Sequence, residues 1–171
     1  PLQLRSEEKR EIEGRVIPYG ETIQIRGRPE SFAQGALANI DPSKTRLLRD
    51  HDHKQPLGKV VELEERSDGA YAVFRVSKTK AGDDALELAR DGVLSFSPGF
   101  IPGTQQRDGA ITSVKALPEV SLVTFGAYPS AQVMSVRSES EDSMSDTTKE
   151  AQVEIDLSGM EKRFDDLEAQ I

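Results

Sequence analysis

Both histidines of the chain, His51 and His53, fall in residues 47–58 (LLRDHDHKQPLG), separated by Asp52. Histidine is the side chain that exchanges a proton near neutral pH, so either one is a candidate general base. If the segment is a strand, the two imidazoles share a face and could hold a metal, with only carboxylates left to complete the site. No third histidine and no cysteine exists to complete such a site. A surface pair with no chemical role is the remaining reading. A second segment, residues 92–100 (GVLSFSPGF), places Ser95 and Ser97 on one face of any strand. Pro98-Gly99 behind them predicts a turn, beside which a serine can stand exposed as a nucleophile. In a third segment, residues 116–124 (ALPEVSLVT), Glu119 enters a strongly apolar run. A buried carboxylate is costly unless paired. Glu119 either orients an imidazole or meets an arginine in the core, the second being the commoner use.

Composition narrows the chemistry. The chain has 171 residues and no cysteine, which excludes disulfides, thiolate nucleophiles and cysteine-ligated metals. Residues 1–137 carry 19 basic and 19 acidic side chains, whereas residues 138–171 carry three basic against 11 acidic, so the net charge of −8 resides in the tail. The acidic tail argues against DNA as its partner, and the neutral body gives no electrostatic argument for nucleic acid. No apolar run approaches the roughly 20 residues of a membrane span. The opening PLQLRSEEKR, charged from residue 5, does not read as a secretory signal.

These segments sit among strand-like stretches. Residues 15–19 and 22–25 flank Gly20 and read as a pair of strands, and residues 57–63, 70–76, 111–116 and 120–124 are rich in β-branched or aromatic residues. Ser67-Asp68-Gly69 reads as a hairpin turn. A helix is expected over residues 83–90, with Asp83 and Asp84 at its positive end and Gly92 as its stop. A second short helix is expected over residues 31–38. Many short strands with two helices predict a mainly β, α+β domain: a β-barrel or curled sheet with helices packed outside.

The domain is expected to occupy residues 1–137. Residues 138–149 (SESEDSMSDTTK) have the composition of a flexible acidic linker. Beyond it, Val153, Leu157, Met160, Phe164, Leu167 and Ile171 follow the 4-3-4-3-4 spacing of an amphipathic or coiled-coil helix over residues 150–171. A helix this short is marginal alone and implies a partner, so self-association through it is expected.

Taken in order, the motifs resemble those of the prohead maturation proteases of tailed bacteriophages. They are residues 14–20 (GRVIPYG), 30–33 (ESFA) with Gly35-Ala36, Leu47-Leu48 before His51-Asp52, and 56–60 (PLGKV). The 82–92 helix, 94–100 (LSFSPGF), 117–123 (LPEVSLV) and 127–131 (AYPSA) follow. The resemblance covers about residues 12–136. It implies a serine endopeptidase whose fold looks like that of the herpesvirus assembly proteases, a β-barrel ringed by helices. Within its motifs the catalytic histidine falls on His51, the nucleophile on Ser97 and the third member on Glu119. Pro98 stands where the family usually has an aliphatic residue. It removes the N–H after the serine and leaves the Gly99 and Gly126 amides as candidate oxyanion donors.

The implied chemistry is acyl transfer without metal or organic cofactor. The implied substrates are the scaffold segment and the N-terminal part of the major capsid protein, cleaved inside the assembling procapsid in the host cytoplasm. Neither nucleic acid nor membrane is an expected partner. The acidic tail resembles the opening of a scaffold-like segment, which would make residues 138–149 a self-cleavage region. Two other classes stay open: an inactive capsid-assembly or scaffold component acting through its tail, and metal-dependent hydrolysis through His51, Asp52 and His53.

Overall fold

A computed structural model describes residues 9–138. The expected linker and tail helix lie outside these residues, apart from Ser138. Nine strands and one α-helix follow in the order β1 (Glu11–Pro18), β2 (Ile23–Ile25), β3 (Arg28–Phe32), β4 (Arg46–Arg49), β5 (Asp52–Arg66), β6 (Gly69–Val76), α1 (Lys80–Arg90), β7 (Ser95–Gln105), β8 (Ala110–Val123) and β9 (Val133–Arg137). The hydrogen-bonded order is β2-β3-β8-β4-β5-β6-β1-β9, with β7 paired to β8. Among the described residues no helix is long and apolar enough to cross a membrane.

The 14-residue β8 organises the sheet. β7 runs antiparallel along one edge of it, while β3 and then β4 run parallel to it on the other. The two expected strands at 111–116 and 120–124 are thus one strand. Leu117 and Pro118 fall at a register shift opposite Phe100, where proline's missing N–H interrupts no regular ladder. The β5–β6 hairpin turns at Ser67-Asp68 as expected. The strands around Gly20 exist but do not pair with each other: β1 pairs with β6 and β9, and β2 with β3.

The sheet does not close into the expected barrel. Only an isolated bridge, Ser95 to Gln132, and a bond from Phe96 N–H to Ala131 O (2.9 Å) link β7 to the segment before β9. Residues 124–131 take bends and turns rather than a strand, and Pro129 among them can donate nothing to a ladder. The expected flanking helices reduce to one. Residues 31–38 finish β3 and then make successive turns, with Ala36 N–H on Ala33 O and Ala38 N–H on Gly35 O, because Gly35 is left-handed (φ +82°). Helix α1 begins three residues before Asp83, capped by Thr79, whose hydroxyl accepts from Gly82 N–H at 3.0 Å. It buries Ala85, Leu86 and Ala89.

The core gathers apolar side chains from all the long strands, among them Ile12, Leu47, Leu57, Phe74, Phe96 and Leu122. Phe96 is fully buried, with its ring 5.5 Å from that of Phe74. Truncating so large a buried ring costs about 3–5 kcal/mol. That packing anchors the strand carrying Ser97.

Candidate active site

Two long-range ladders and one tight hairpin bring the site together. Register along β7 and β8 sets Ser97 opposite Ser121 and Gly99 opposite Glu119. Register along β4 and β8 sets Leu48 opposite Ser121 and Arg49 opposite Leu122. The β4–β5 hairpin then pairs Arg49 with Asp52, leaving Asp50 and His51 as its two-residue loop. Both loop residues have positive φ, +49° and +57°. Two consecutive left-handed residues match the twist of a tight hairpin, a conformation that glycine and asparagine adopt most readily. For histidine it costs about 1 kcal/mol or more. The turn is tied down from β8: Asp50 N–H donates to Leu122 O (3.1 Å) and His51 N–H to Ser121 Oγ (2.9 Å).

The His51 ring lies between two partners. Its Nδ1 is 2.7 Å from Glu119 Oε1, and its Nε2 is 2.9 Å from Ser97 Oγ. A carboxylate only accepts, so Nδ1 carries the proton and Nε2 is free to accept the Ser97 hydroxyl hydrogen. Glu119 is buried, with 7% of its side chain exposed, against 43% for His51. Its second oxygen, Oε2, accepts from Ser121 Oγ at 2.7 Å. Glu119 therefore meets no core arginine. Its two oxygens are taken by His51 and by fully buried Ser121.

Gly99 makes room for this carboxylate. A β-carbon at Gly99 would stand 1.7 Å from Glu119 Oε1. The expected turn at Pro98-Gly99 is not formed, since both residues continue β7 opposite Val120 and Glu119. The long partner strand overrides the local turn preference, and the irregularity comes one residue later, between Gly99 and Ile101. Gly126 brings its backbone against Phe96 O and Ser95.

The remaining candidates stay apart from this chain of bonds. His53 is exposed on β5, and because His51 occupies a turn the two histidines do not share a strand face. The Asp52 carboxylate accepts from Gln55 Nε2 and from Lys54 N–H at 2.9 Å each, which holds its ionisation below the usual carboxylate range. Among the described residues no three or more histidine, aspartate or glutamate side chains are placed to share a metal ion. Ser95 pairs across from Val123 and reaches neither His51 nor Glu119 through the bonds described. Sequence reasoning missed Ser121 and the spatial role of Gly99. The spacing Glu119-x-Ser121, which sets both on one face of a strand, was the available signal for the first.

A sequence model of the Caudovirus prohead serine protease family matches residues 1–149. The chain belongs to this family. It is therefore a member of a group of phage serine proteases named for the prohead, in keeping with a role in capsid maturation. No curated protein and no solved structure matches the chain. Within the matched span lie all the residues of the hydrogen-bonded chain: His51, Ser97, Glu119 and Ser121.

Proposed function

We propose that the chain is a serine endopeptidase of procapsid maturation, with Ser97 as nucleophile, His51 as general base and acid, and Glu119 as the carboxylate that orients His51. The observation that carries this reading is the position of the His51 ring, 2.9 Å from Ser97 Oγ on one side and 2.7 Å from Glu119 Oε1 on the other. Ser97 Oγ attacks the scissile carbonyl carbon as its proton passes to His51 Nε2. The tetrahedral intermediate collapses, the C–N bond breaks and the imidazolium returns the proton to the leaving amine. Water, deprotonated by the same nitrogen, then attacks the acyl-enzyme ester and frees Ser97. Glu119 keeps the proton on Nδ1 in the resting state and stabilises the imidazolium formed in each half-reaction.

The substrates are scaffold and capsid-protein segments inside the assembling procapsid, and residues 138–149 are a candidate site of self-cleavage. The intact Ser97–His51–Glu119 chain favours an active enzyme over a purely structural assembly component. The test is processing of a scaffold–capsid substrate by wild type, Ser97→Ala and Ser95→Ala, each with and without chelator. Loss in Ser97→Ala alone, without any chelator effect, is expected. Undiminished cleavage by Ser97→Ala would sink the assignment. For self-cleavage, intact mass of purified protein decides: a shortened wild type beside a full-length Ser97→Ala is expected, and equal intact masses would overturn it.

A further inference from the structure

The network does not end at Glu119. Ser121 is fully buried, and its hydroxyl is used twice: it accepts His51 N–H at 2.9 Å and donates to Glu119 Oε2 at 2.7 Å. One side chain thus ties the backbone of the proposed base to the carboxylate that orients the base's ring. We infer that Ser121 is a positioning residue for the proposed serine-protease reaction, holding His51 and Glu119 in mutual register. The inference rests on the reading of Ser97, His51 and Glu119 given above.

Three observations carry it. First, His51 sits in a left-handed conformation (φ +57°) beside left-handed Asp50 (φ +49°). Such a turn persists only where its surroundings hold it, and the Ser121 bond is the restraint placed on the His51 backbone. Second, a carboxylate can swing about its last torsion, which is broad and roughly two-fold. With Oε1 on His51 Nδ1 and Oε2 on Ser121 Oγ, both oxygens are fixed and the swing is blocked. Third, Ser121 pairs across the ladder from Ser97, so one strand register sets the nucleophile, the carboxylate and the brace between that carboxylate and His51. Alanine at 121 would leave the His51 N–H and a buried carboxylate oxygen each without this partner. The ring would still be present but less well aimed. Misplacement of a reacting group by an ångström costs on the order of 100-fold in rate.

The test uses the full chain and a fluorophosphonate probe, which phosphonylates an activated serine with loss of fluoride. Labelling rate is measured for wild type and for Ser97→Ala, Ser121→Ala, Ser121→Thr and Ser121→Val. Thermal melting and the low-field proton resonance of the His51–Glu119 bond are recorded alongside. Ser121→Ala and Ser121→Val are expected to label on the order of 10- to 100-fold more slowly, with the resonance lost or broadened. Ser121→Thr, which keeps the hydroxyl, is expected to label within a few-fold of wild type. Threonine and valine share one shape, so this pair carries the comparison if Ser121→Ala melts without cooperativity. Wild-type labelling and an unchanged resonance in both Ser121→Ala and Ser121→Val would overturn the inference. So would equal slowing in threonine and valine with alanine unaffected, which would assign the position to packing. Labelling of Ser97→Ala at the wild-type rate would instead sink the nucleophile assignment, and the resonance would still report whether Ser121 positions His51 and Glu119.

Discussion

Gly99 lies directly across the β7–β8 ladder from Glu119, and the carboxylate fills the space where a side chain at 99 would begin: a β-carbon there would stand 1.7 Å from Oε1. The same carbon would come within 2.6 Å of Cδ and 3.0 Å of Cγ, so the whole end of the Glu119 side chain is packed on the bare glycine backbone. The oxygen displaced is the one bonded to His51 Nδ1. Gly99→Ala must therefore push Glu119 off the imidazole or force the two strands apart. Overpacking of this kind costs about 1–3 kcal/mol. The expected result is a protein that melts at lower temperature and cleaves on the order of 100-fold more slowly. Steady-state kinetics beside a melting curve check it, and a Gly99→Ala enzyme with wild-type turnover would show that Glu119 need not occupy its present position.

Glu119→Gln keeps the shape of the side chain but changes its logic. A carboxylate accepts at both oxygens, and here the two donors are His51 Nδ1–H and the Ser121 hydroxyl. An amide offers one oxygen and one NH2. If the oxygen faces His51, the amide nitrogen meets the Ser121 hydroxyl in place of an acceptor. If the amide nitrogen faces His51, the ring must present a bare Nδ1 and its proton moves to Nε2, where it can no longer receive one from Ser97. The imidazolium also loses its counter-charge. Turnover is expected to fall by roughly 10²- to 10⁴-fold, with less change in KM, as for the comparable change in well-studied serine proteases. A kcat within a few-fold of wild type would remove Glu119 from the mechanism.

Much of this site is legible in the chain, and what is not has a common cause. Ser97, His51 and Glu119 are marked by side-chain chemistry and by motifs a few residues long. Ser121 and Gly99 matter because of where β8 meets β4 and β7, and those meetings join residues far apart in sequence. His51 and Ser121 are 70 positions apart. Local preference misleads where such a ladder outweighs it. Pro98-Gly99 reads as a turn, yet runs on as strand because β8 supplies a partner to each, Val120 and Glu119. Residues 31–38 read as a helix, yet Ser31 and Phe32 are taken by the N-terminal end of β8. Helix α1, apart from its first turn and the Thr79 cap, and the Ser67-Asp68 hairpin turn are legible because their determinants, acidic residues near the helix start with Gly92 past its end and a two-residue loop, are local. The open sheet is the opposite case. Whether strands close on themselves depends on the path of residues 124–131, which no local periodicity describes.

The strained hairpin loop makes a separable prediction about stability. Asp50 is exposed at φ +49°, and its carboxylate accepts from Arg49 Nε at 3.0 Å. An exposed pair of this kind is worth little, so the residue's conformation dominates the effect of replacing it. A β-branched side chain fits the left-handed region badly, at about 1–2 kcal/mol, whereas glycine fits freely. Asp50→Val is expected to lower the melting temperature, and Asp50→Gly to stay within about 1 kcal/mol of wild type. Denaturant titration of both checks this. Equal stability of the valine and glycine variants would mean that the loop does not hold its left-handed form in solution.

Two tyrosines predict how the fold responds to alkali. Burial, then the hydrogen bond to Glu65 and that carboxylate's charge, pushes the Tyr19 phenol well above its ordinary range. Tyr128 is raised in the same way by burial, by its 2.9 Å bond to Glu30, and by the charges of Glu30 and Glu21. In the unfolded chain both titrate at about 10. Below that pH both states hold the protons and the stabilising bonds are fully present. Above it the unfolded chain releases two protons that the folded protein retains. The unfolded state then binds fewer protons, and stability falls as pH rises further. Each bond to a carboxylate also contributes about 1.5–3 kcal/mol while intact. The Tyr19→Phe, Tyr128→Phe double variant is expected to be less stable than wild type at neutral pH. Its stability should also decline less steeply above about pH 10, because the phenols at 19 and 128 are gone and only that of Tyr71 remains. Denaturant midpoints measured across that range give the slopes. Parallel slopes for wild type and the double variant would mean that the two phenols ionise as readily in the folded protein as in the unfolded chain.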